Sequence, residues 1–243
     1  MSEQIAVKFK KVELSWSELS SLSNDDRALL AFACFVVSEV NCLRNLTIQA
    51  LHSICENPTA EKFVSVQRNT LVRILVSKLW EFSRAIEKKG VKLTGLSHKA
   101  RTAVTSAAAE LSVASKMPGA KLAESLRNKA PFHYDIGQFA KNIRDGMADF
   151  DAGFLIAEAD GNCVFRMGEV VANGNEKSVN FTELLEWVQK LSRTITDFHL
   201  GLANGLIPSS LVRAREVVES VRFPSDLVAT YDTRLPVLMS KTK

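Results

Sequence analysis

A short segment near the middle of the chain combines the side chains that can cleave RNA without a metal ion. It reads Leu-Arg-Asn-Lys-Ala-Pro-Phe-His-Tyr-Asp, and it places Arg127, Asn128 and His133 within about two helical turns. Arg127 is permanently charged and carries a planar fork of N–H donors that can clamp a phosphate. His133 can take or give a proton near neutral pH. Asn128 can orient either group, or the substrate, by hydrogen bonding.

These side-chain types match the steps of RNA cleavage through the ribose 2′-hydroxyl. A base removes the 2′-hydroxyl proton, a cation stabilises the crowded phosphate, and an acid protonates the leaving 5′-oxygen. The segment therefore predicts a ribonuclease site with Arg127, Asn128 and His133 as catalytic residues and with neither a metal ion nor a cofactor.

The spacing of this segment, Arg-Asn followed after four residues by His, resembles the R-polar-x(3–5)-H motif of the HEPN superfamily. The resemblance covers residues 25–149 and, more weakly, the final helices. HEPN domains are helical and often homodimeric, and the active ones are metal-independent ribonucleases, commonly of toxin–antitoxin and other defence systems. The resemblance implies that Arg127 and His133 are the catalytic pair, that Asn128 is their polar companion, and that two copies of the motif share one cleft at a dimer interface.

One residue departs from the family pattern. Pro131 lies between Arg127 and His133, and proline is tolerated in the first turn of a helix but not in its interior. The chain therefore either kinks at Pro131 or begins a fresh helix there. The two side chains can converge at such a junction or point apart. The same dipeptide at Arg44 and at Arg68 has no histidine at the required distance.

Two other functions stay open for this constellation. The first is a non-catalytic helical module that dimerises or binds RNA or a protein partner such as an antitoxin, in which Arg127 pairs with Glu124 three residues earlier. The second is a small-molecule or nucleotide-binding domain that holds a phosphate at a helix junction near Arg127.

Other chemical motifs are weak or missing. The sequence has no G-x-x-x-x-G-K-[ST], G-x-G-x-x-G, G-x-S-x-G or H-E-x-x-H pattern. His52 and Cys55 could face one metal ion, but a structural zinc site wants four ligands, and we interpret the pair as helix packing. Asp197 and His199 are two residues apart on a predicted helix and do not face each other.

The three tryptophans are predicted to be core residues: Trp16, Trp80 and Trp187.

The apolar periodicity predicts a mainly α fold, an antiparallel helical bundle. Ser23 or Asn24 can cap the first long helix, which Asn57-Pro58 ends. Apolar residues at spacings of three and four continue the pattern. The predicted later helices span residues 59–89, 97–116, 120–129, 131–149, 181–205 and 209–221.

A β-hairpin interrupts this helical pattern near residues 153–172. Two apolar runs, 154–157 and 163–167, flank the turn-forming Asp160-Gly161-Asn162. We therefore predict one helical domain over residues 1–243. It comprises a HEPN-like core at about 25–150, the hairpin at 151–175 and C-terminal helices at 180–222.

Composition and charge fit a folded protein. Of 243 residues 46% are hydrophobic and 24% charged, which disfavours disordered, collagen-like and low-complexity classes. The net charge is +4, but residues 1–130 hold 19 Lys and Arg against 12 Asp and Glu, whereas residues 131–243 hold 12 against 15. The basic first half could present a surface to phosphates.

The cysteines and the apolar runs predict a cytoplasmic protein without a membrane partner. The four cysteines form no C-x-x-C pair, and those in helical sequence are expected to be small buried hydrophobes in a reducing compartment. No signal-peptide pattern follows Met1. The longest apolar run, residues 28–37, is half of the roughly 20 residues that span a bilayer.

Overall fold

The structure, a computed structural model, describes residues 4–53, 56–89, 93–128, 140, 143, 154–155, 164–165 and 181–224. In these ranges it contains seven α-helices. They are α1 Trp16–Leu19, α2 Asn24–His52, α3 Pro58–Arg84, α4 His98–Ala114, α5 Pro118–Asn128, α6 Phe181–Leu206 and α7 Ser209–Arg215. A π-helical turn, Ala85–Lys89, and a 3₁₀ turn, Leu93–Gly95, follow α3. The prediction of a mainly α fold is confirmed.

The described part also contains four strands in two small antiparallel sheets. They are β1 Gln4–Val12, β2 Phe154–Leu155, β3 Val164–Phe165 and β4 Glu216–Pro224. Strands β2 and β3 pair Phe154 with Phe165 and Leu155 with Val164, which confirms the predicted hairpin. Its proposed extension at residues 170–172 lies outside the described residues, as does most of the predicted helix at 131–149.

The chain divides into two compact units. Unit 1 comprises Met1–Glu39, Phe82–Val113 and Ser192–Thr233. Unit 2 comprises Val40–Glu81, Ala114–Leu191 and Arg234–Lys243.

In unit 1, one buried carboxylate joins the starts of two helices. Ser23 caps α2 as predicted, since its Oγ accepts the Asp26 N–H at 3.1 Å. The Asp26 side chain in turn accepts the Ser97 N–H at 3.0 Å, although the two residues are 71 positions apart. Ser97 Oγ then accepts the Ala100 N–H at 3.3 Å and caps α4. The N-termini of α2 and α4 are therefore held together in unit 1.

Aromatic contacts mark the core of each unit. In unit 1, Phe82 stacks on Phe32 with ring centroids 6.3 Å apart and lies 5.8 Å from the ring of Phe198. In unit 2, Trp80 and Trp187 lie 6.5 Å apart. Trp187 is almost fully buried, which confirms its predicted place in the core.

The helix α6 contributes a buried stripe at spacings of three and four. It consists of Leu184, Trp187, Leu191, Ile195, Phe198, Leu202 and Leu206. Residues up to Leu191 belong to unit 2 and residues from Ser192 onward to unit 1. The amphipathic prediction for this helix is therefore confirmed from Leu184 to Leu206, whereas Phe181, the first residue of the predicted helix, is 39% exposed.

The C-terminal helix prediction is wrong beyond Arg215. Residues 216–221, expected as helix, belong to strand β4, which pairs with β1 from Val12↔Glu216 to Gln4↔Pro224. Strand β1 itself was not predicted. The β-branched Val217, Val218 and Val221 favour a strand, and the partner that supplies the hydrogen bonds lies at the other end of the chain.

Helix α2 is long and apolar enough, by length and composition, to cross a membrane. Its most apolar window of 18 residues has a mean hydropathy of 1.5, and 28% of that window is buried inside the protein. Core helices of soluble proteins pass the same test. The cytoplasmic location stays a prediction.

Substitution of two glycines by alanine should change the free energy of unfolding in opposite directions. At Gly119 a Cβ atom would lie 2.2 Å from the carbonyl oxygen of Glu183 and 2.8 Å from Cβ of Trp187. Because backbone cannot easily yield, we expect Gly119→Ala to lower the free energy of unfolding by about 1–3 kcal/mol. At Gly201, inside α6, the nearest atom is Cβ of Ala103 at an ordinary 3.7 Å. Gly201→Ala should raise stability by about 0.5–1 kcal/mol.

Urea unfolding followed by circular dichroism checks both values. Equal midpoints for Gly119→Ala and the unsubstituted protein would show that α5 does not approach the backbone of α6 this closely within unit 2.

Candidate functional site

The motif begins in the last turn of α5. Arg127 follows the buried Ala123 and Ala120 at spacings of four and seven, so its stem lies toward the packed face of the helix. Asn128 is the last residue of α5. Pro131 and His133 lie outside the described residues, and the convergence of Arg127 with His133 stays a prediction.

The guanidinium of Arg127 is bound to a carboxylate of another helix in unit 2. Its Nη2 donates to Oε1 of Glu81 at 2.7 Å. That partner lies on α3, whereas the alternative from the sequence was Glu124 of the same helix. The Arg127 side chain is 29% exposed and that of Glu81 is 56% exposed, so solvent reaches both groups. The pair orients Arg127 and occupies part of the donor fork that a phosphate would use.

A second Arg-Asn dipeptide shows that this kind of ion pair does not by itself define a site. Arg68, also followed by asparagine, lies on α3 and donates Nη2 to Oε1 of Glu61 at 2.5 Å. Its Nη1 also donates to the carbonyl oxygen of Ser53 at 3.3 Å. Both arginines are thus held by a glutamate within unit 2. The histidine six positions on distinguishes Arg127, which makes Arg68 a matched reference for experiments.

In unit 1 a thiol and an imidazole meet. Sγ of Cys34, on α2, lies 3.5 Å from Nε2 of His199, on α6. Partial burial raises the pKa of the Cys34 thiol, so it is protonated at neutral pH. A protonated thiol is a poor nucleophile, and the pair therefore lacks the activated sulfur of a cysteine hydrolase. The 165 residues between the two explain why no local pattern indicated their contact.

Three residues lie nearer the surface than predicted. Cys34 and Cys42 are exposed free cysteines, not buried hydrophobes. Trp16 is 73% exposed, not part of the core, because it starts the four-residue helix α1, none of whose residues is buried. His98 is exposed. Within the described ranges, no three His, Cys, Asp or Glu side chains form a group that could hold a metal ion.

Comparison with known proteins finds no matching family model, no matching curated protein and no matching solved structure.

The pair between Arg127 and Glu81 is expected to contribute little to folding. Partly exposed ion pairs are worth about 0.2–1 kcal/mol because solvent and salt screen them. A double-mutant cycle with Arg127→Met and Glu81→Gln should yield a coupling energy in that range, smaller at 1 M salt than at 0.1 M. Urea unfolding of the four proteins measures it. A coupling above about 3 kcal/mol would indicate a buried structural pair instead.

Proposed function

We propose that this chain is a HEPN-like, metal-independent endoribonuclease that works as a homodimer. The observation that carries the proposal is the Arg127-Asn128-x4-His133 segment, which starts in the last turn of α5 in a mainly α protein. Arg127, Asn128 and His133 are the proposed catalytic residues, and RNA is the proposed substrate. The basic composition of residues 1–130 supports attraction of RNA.

The proposed reaction needs no group from outside the protein. His133 removes the proton of the ribose 2′-hydroxyl as the 2′-oxygen attacks the adjacent phosphorus. The bond from phosphorus to the 5′-oxygen breaks, and a second acid, the His133 of the other copy, protonates that oxygen. The products are a 2′,3′-cyclic phosphate and a 5′-hydroxyl end. Arg127 stabilises the additional negative charge on the phosphoryl oxygens, and Asn128 orients the reacting groups.

In this proposal Glu81 holds Arg127 until the substrate arrives. Carboxylate and phosphate both fit the guanidinium fork, so an incoming phosphate replaces Glu81 at Nη2. The exposure of Glu81 supports this exchange, since its carboxylate can turn into water when released. Binding of RNA must then break this partly exposed ion pair, and the free-energy cost of breaking it is small.

A second candidate function is a non-catalytic helical module that dimerises or binds a protein partner, such as an antitoxin. The engagement of Arg127 by Glu81 favours it, because an arginine with a carboxylate partner can be purely structural. In that case the motif is not catalytic, and the pair of Arg127 and Glu81 serves only to hold α5 and α3 together.

Variants of the motif test catalysis directly. Purified protein, incubated in EDTA with a structured RNA pool, should release fragments with 5′-hydroxyl ends. His133→Ala and Arg127→Ala should each lower the cleavage rate by about 100-fold or more, since each removes a group that acts in the transition state. Arg68→Ala and His98→Ala are matched controls and should cleave like the unsubstituted protein.

Circular dichroism first establishes that each variant is folded. Equal cleavage in all five preparations would indicate a contaminating nuclease and contradict the proposal. Absence of cleavage by the unsubstituted protein would favour the non-catalytic module.

The exchange at Arg127 makes a separate prediction about affinity. Glu81→Gln removes the competing carboxylate and should tighten RNA binding about two- to fivefold, as expected from an ion pair worth up to about 1 kcal/mol. Glu61→Gln removes the same charge from the Arg68 pair and serves as control. Fluorescence anisotropy with labelled RNA at several salt concentrations measures both. An equal change in both variants would attribute the effect to net charge and remove Glu81 from the site.

A further inference from the structure

An apolar pocket in unit 1 includes no residue of the motif in its lining and plays no part in the proposed cleavage. Its volume is about 490 Å³, within the range of small-molecule sites. Helices α1, α2 and α6, the segment before α1 and the residue just after α6 supply its walls, which are mostly apolar. Lining residues from these elements include Leu14, Leu19, Leu30, Ala31, Ala203 and Ile207.

One cation borders this pocket without a carboxylate. Arg27, which lines it, has its guanidinium carbon 5.1 Å from the ring centroid of the exposed Trp16. Nη2 of Arg27 donates to Oδ1 of Asn24. A guanidinium has five N–H donors, so most of its capacity remains. Among the residues that the structure describes, no Asp or Glu lies within ion-pair distance of Arg27.

The lining also carries the Cys34–His199 contact, which sets limits on the chemistry. Both residues border the pocket, and their atoms Sγ and Nε2 contact each other. A protonated thiol is a poor nucleophile, so the pocket suits reversible binding. Apolar walls exclude water and strengthen the attraction between Arg27 and an anion at the rim.

We propose that this pocket binds an amphipathic anion, a hydrocarbon chain or ring system of about ten carbon atoms with one carboxylate, through the apolar walls and the Arg27 guanidinium. The hydrocarbon covers Leu30, Ala31 and Ile207, and the carboxylate replaces water at Arg27. The side chain of Trp16 covers the bound molecule at the edge of the pocket. The lining residues all belong to unit 1, whereas Arg127 belongs to unit 2.

Calorimetric titration of the full chain with decanoate, below its micelle concentration, tests the proposal. One decanoate should bind per chain, and decanol, which has the same chain without the charge, should bind about tenfold more weakly, since a charge-assisted hydrogen bond is lost. Arg27→Met should lower decanoate affinity about tenfold and leave decanol unchanged. Arg101→Met, at an exposed arginine outside the pocket, should change neither.

A variant that fills the pocket separates the walls from the charge. Ala31→Phe places a ring over the pocket and should abolish saturable binding of both probes. Ala109→Phe makes the same change at an exposed alanine of α4, outside the pocket, and should have no effect. Both positions are on the surface, so both variants should fold, and circular dichroism checks that they do.

Alkylation gives a readout at the site itself. Decanoate should slow the reaction of Cys34 with iodoacetamide and leave that of Cys42 unchanged, because Cys34 lines the pocket and Cys42 does not. Mass spectrometry of the two peptides reports both rates. Equal affinity for decanoate and decanol, loss of affinity in Arg101→Met to the same degree as in Arg27→Met, or unchanged alkylation of Cys34 at saturating decanoate would overturn the proposal.

Discussion

The structure depends on the burial of one apolar stripe along α6. Removal of large apolar side chains from water is the main favourable term in folding, and α6 contributes such side chains to the cores of both units. In unit 2, Trp187 is buried against a stretch of α5 where Gly119 leaves no room for a side chain. That contact positions α5, and with it the turn that carries Arg127. A packing constraint therefore determines the position of Arg127 within unit 2.

Within this packed framework, the arginines differ in the partners that they contact. Arg127 and Arg68 are both paired with glutamates within unit 2, whereas Arg27 in unit 1 contacts an aromatic ring and an amide. An arginine with a carboxylate partner is oriented but partly satisfied, and one without such a partner can accept an anion at lower cost. The charge state of each guanidinium is the same, and its local partners determine which ligand it can hold. For the RNase proposal, the exposed Glu81 is thus as relevant as the arginine itself.

Much of the helical framework could be predicted because its signals are local. The cap at Ser23, the break at Asn57-Pro58 and the apolar spacing in 181–206 depend on residues within a few turns of one another. The hairpin of β2 and β3 was also predictable, since a Gly-containing turn between two apolar runs is a local pattern. Strands β1 and β4 were missed because each depends on a partner at the other end of the chain. The exposure of Trp16 and Cys34 was missed because periodicity alone does not say which side of a short helix, or of a wide apolar face, meets a neighbour.

By itself the sequence determined the types and spacing of Arg127, Asn128 and His133. It also determined the caps and breaks of the helices and which residues of α6 share its apolar face. These follow from covalent order and from the fixed period of the α-helix. Only the tertiary structure decided that Glu81 pairs with Arg127, that Asp26 joins α2 to α4, and that Cys34 and His199 meet beside an apolar pocket. Each of these contacts joins residues far apart in the chain, and folding brings such residues together through burial of surfaces that no local spacing encodes.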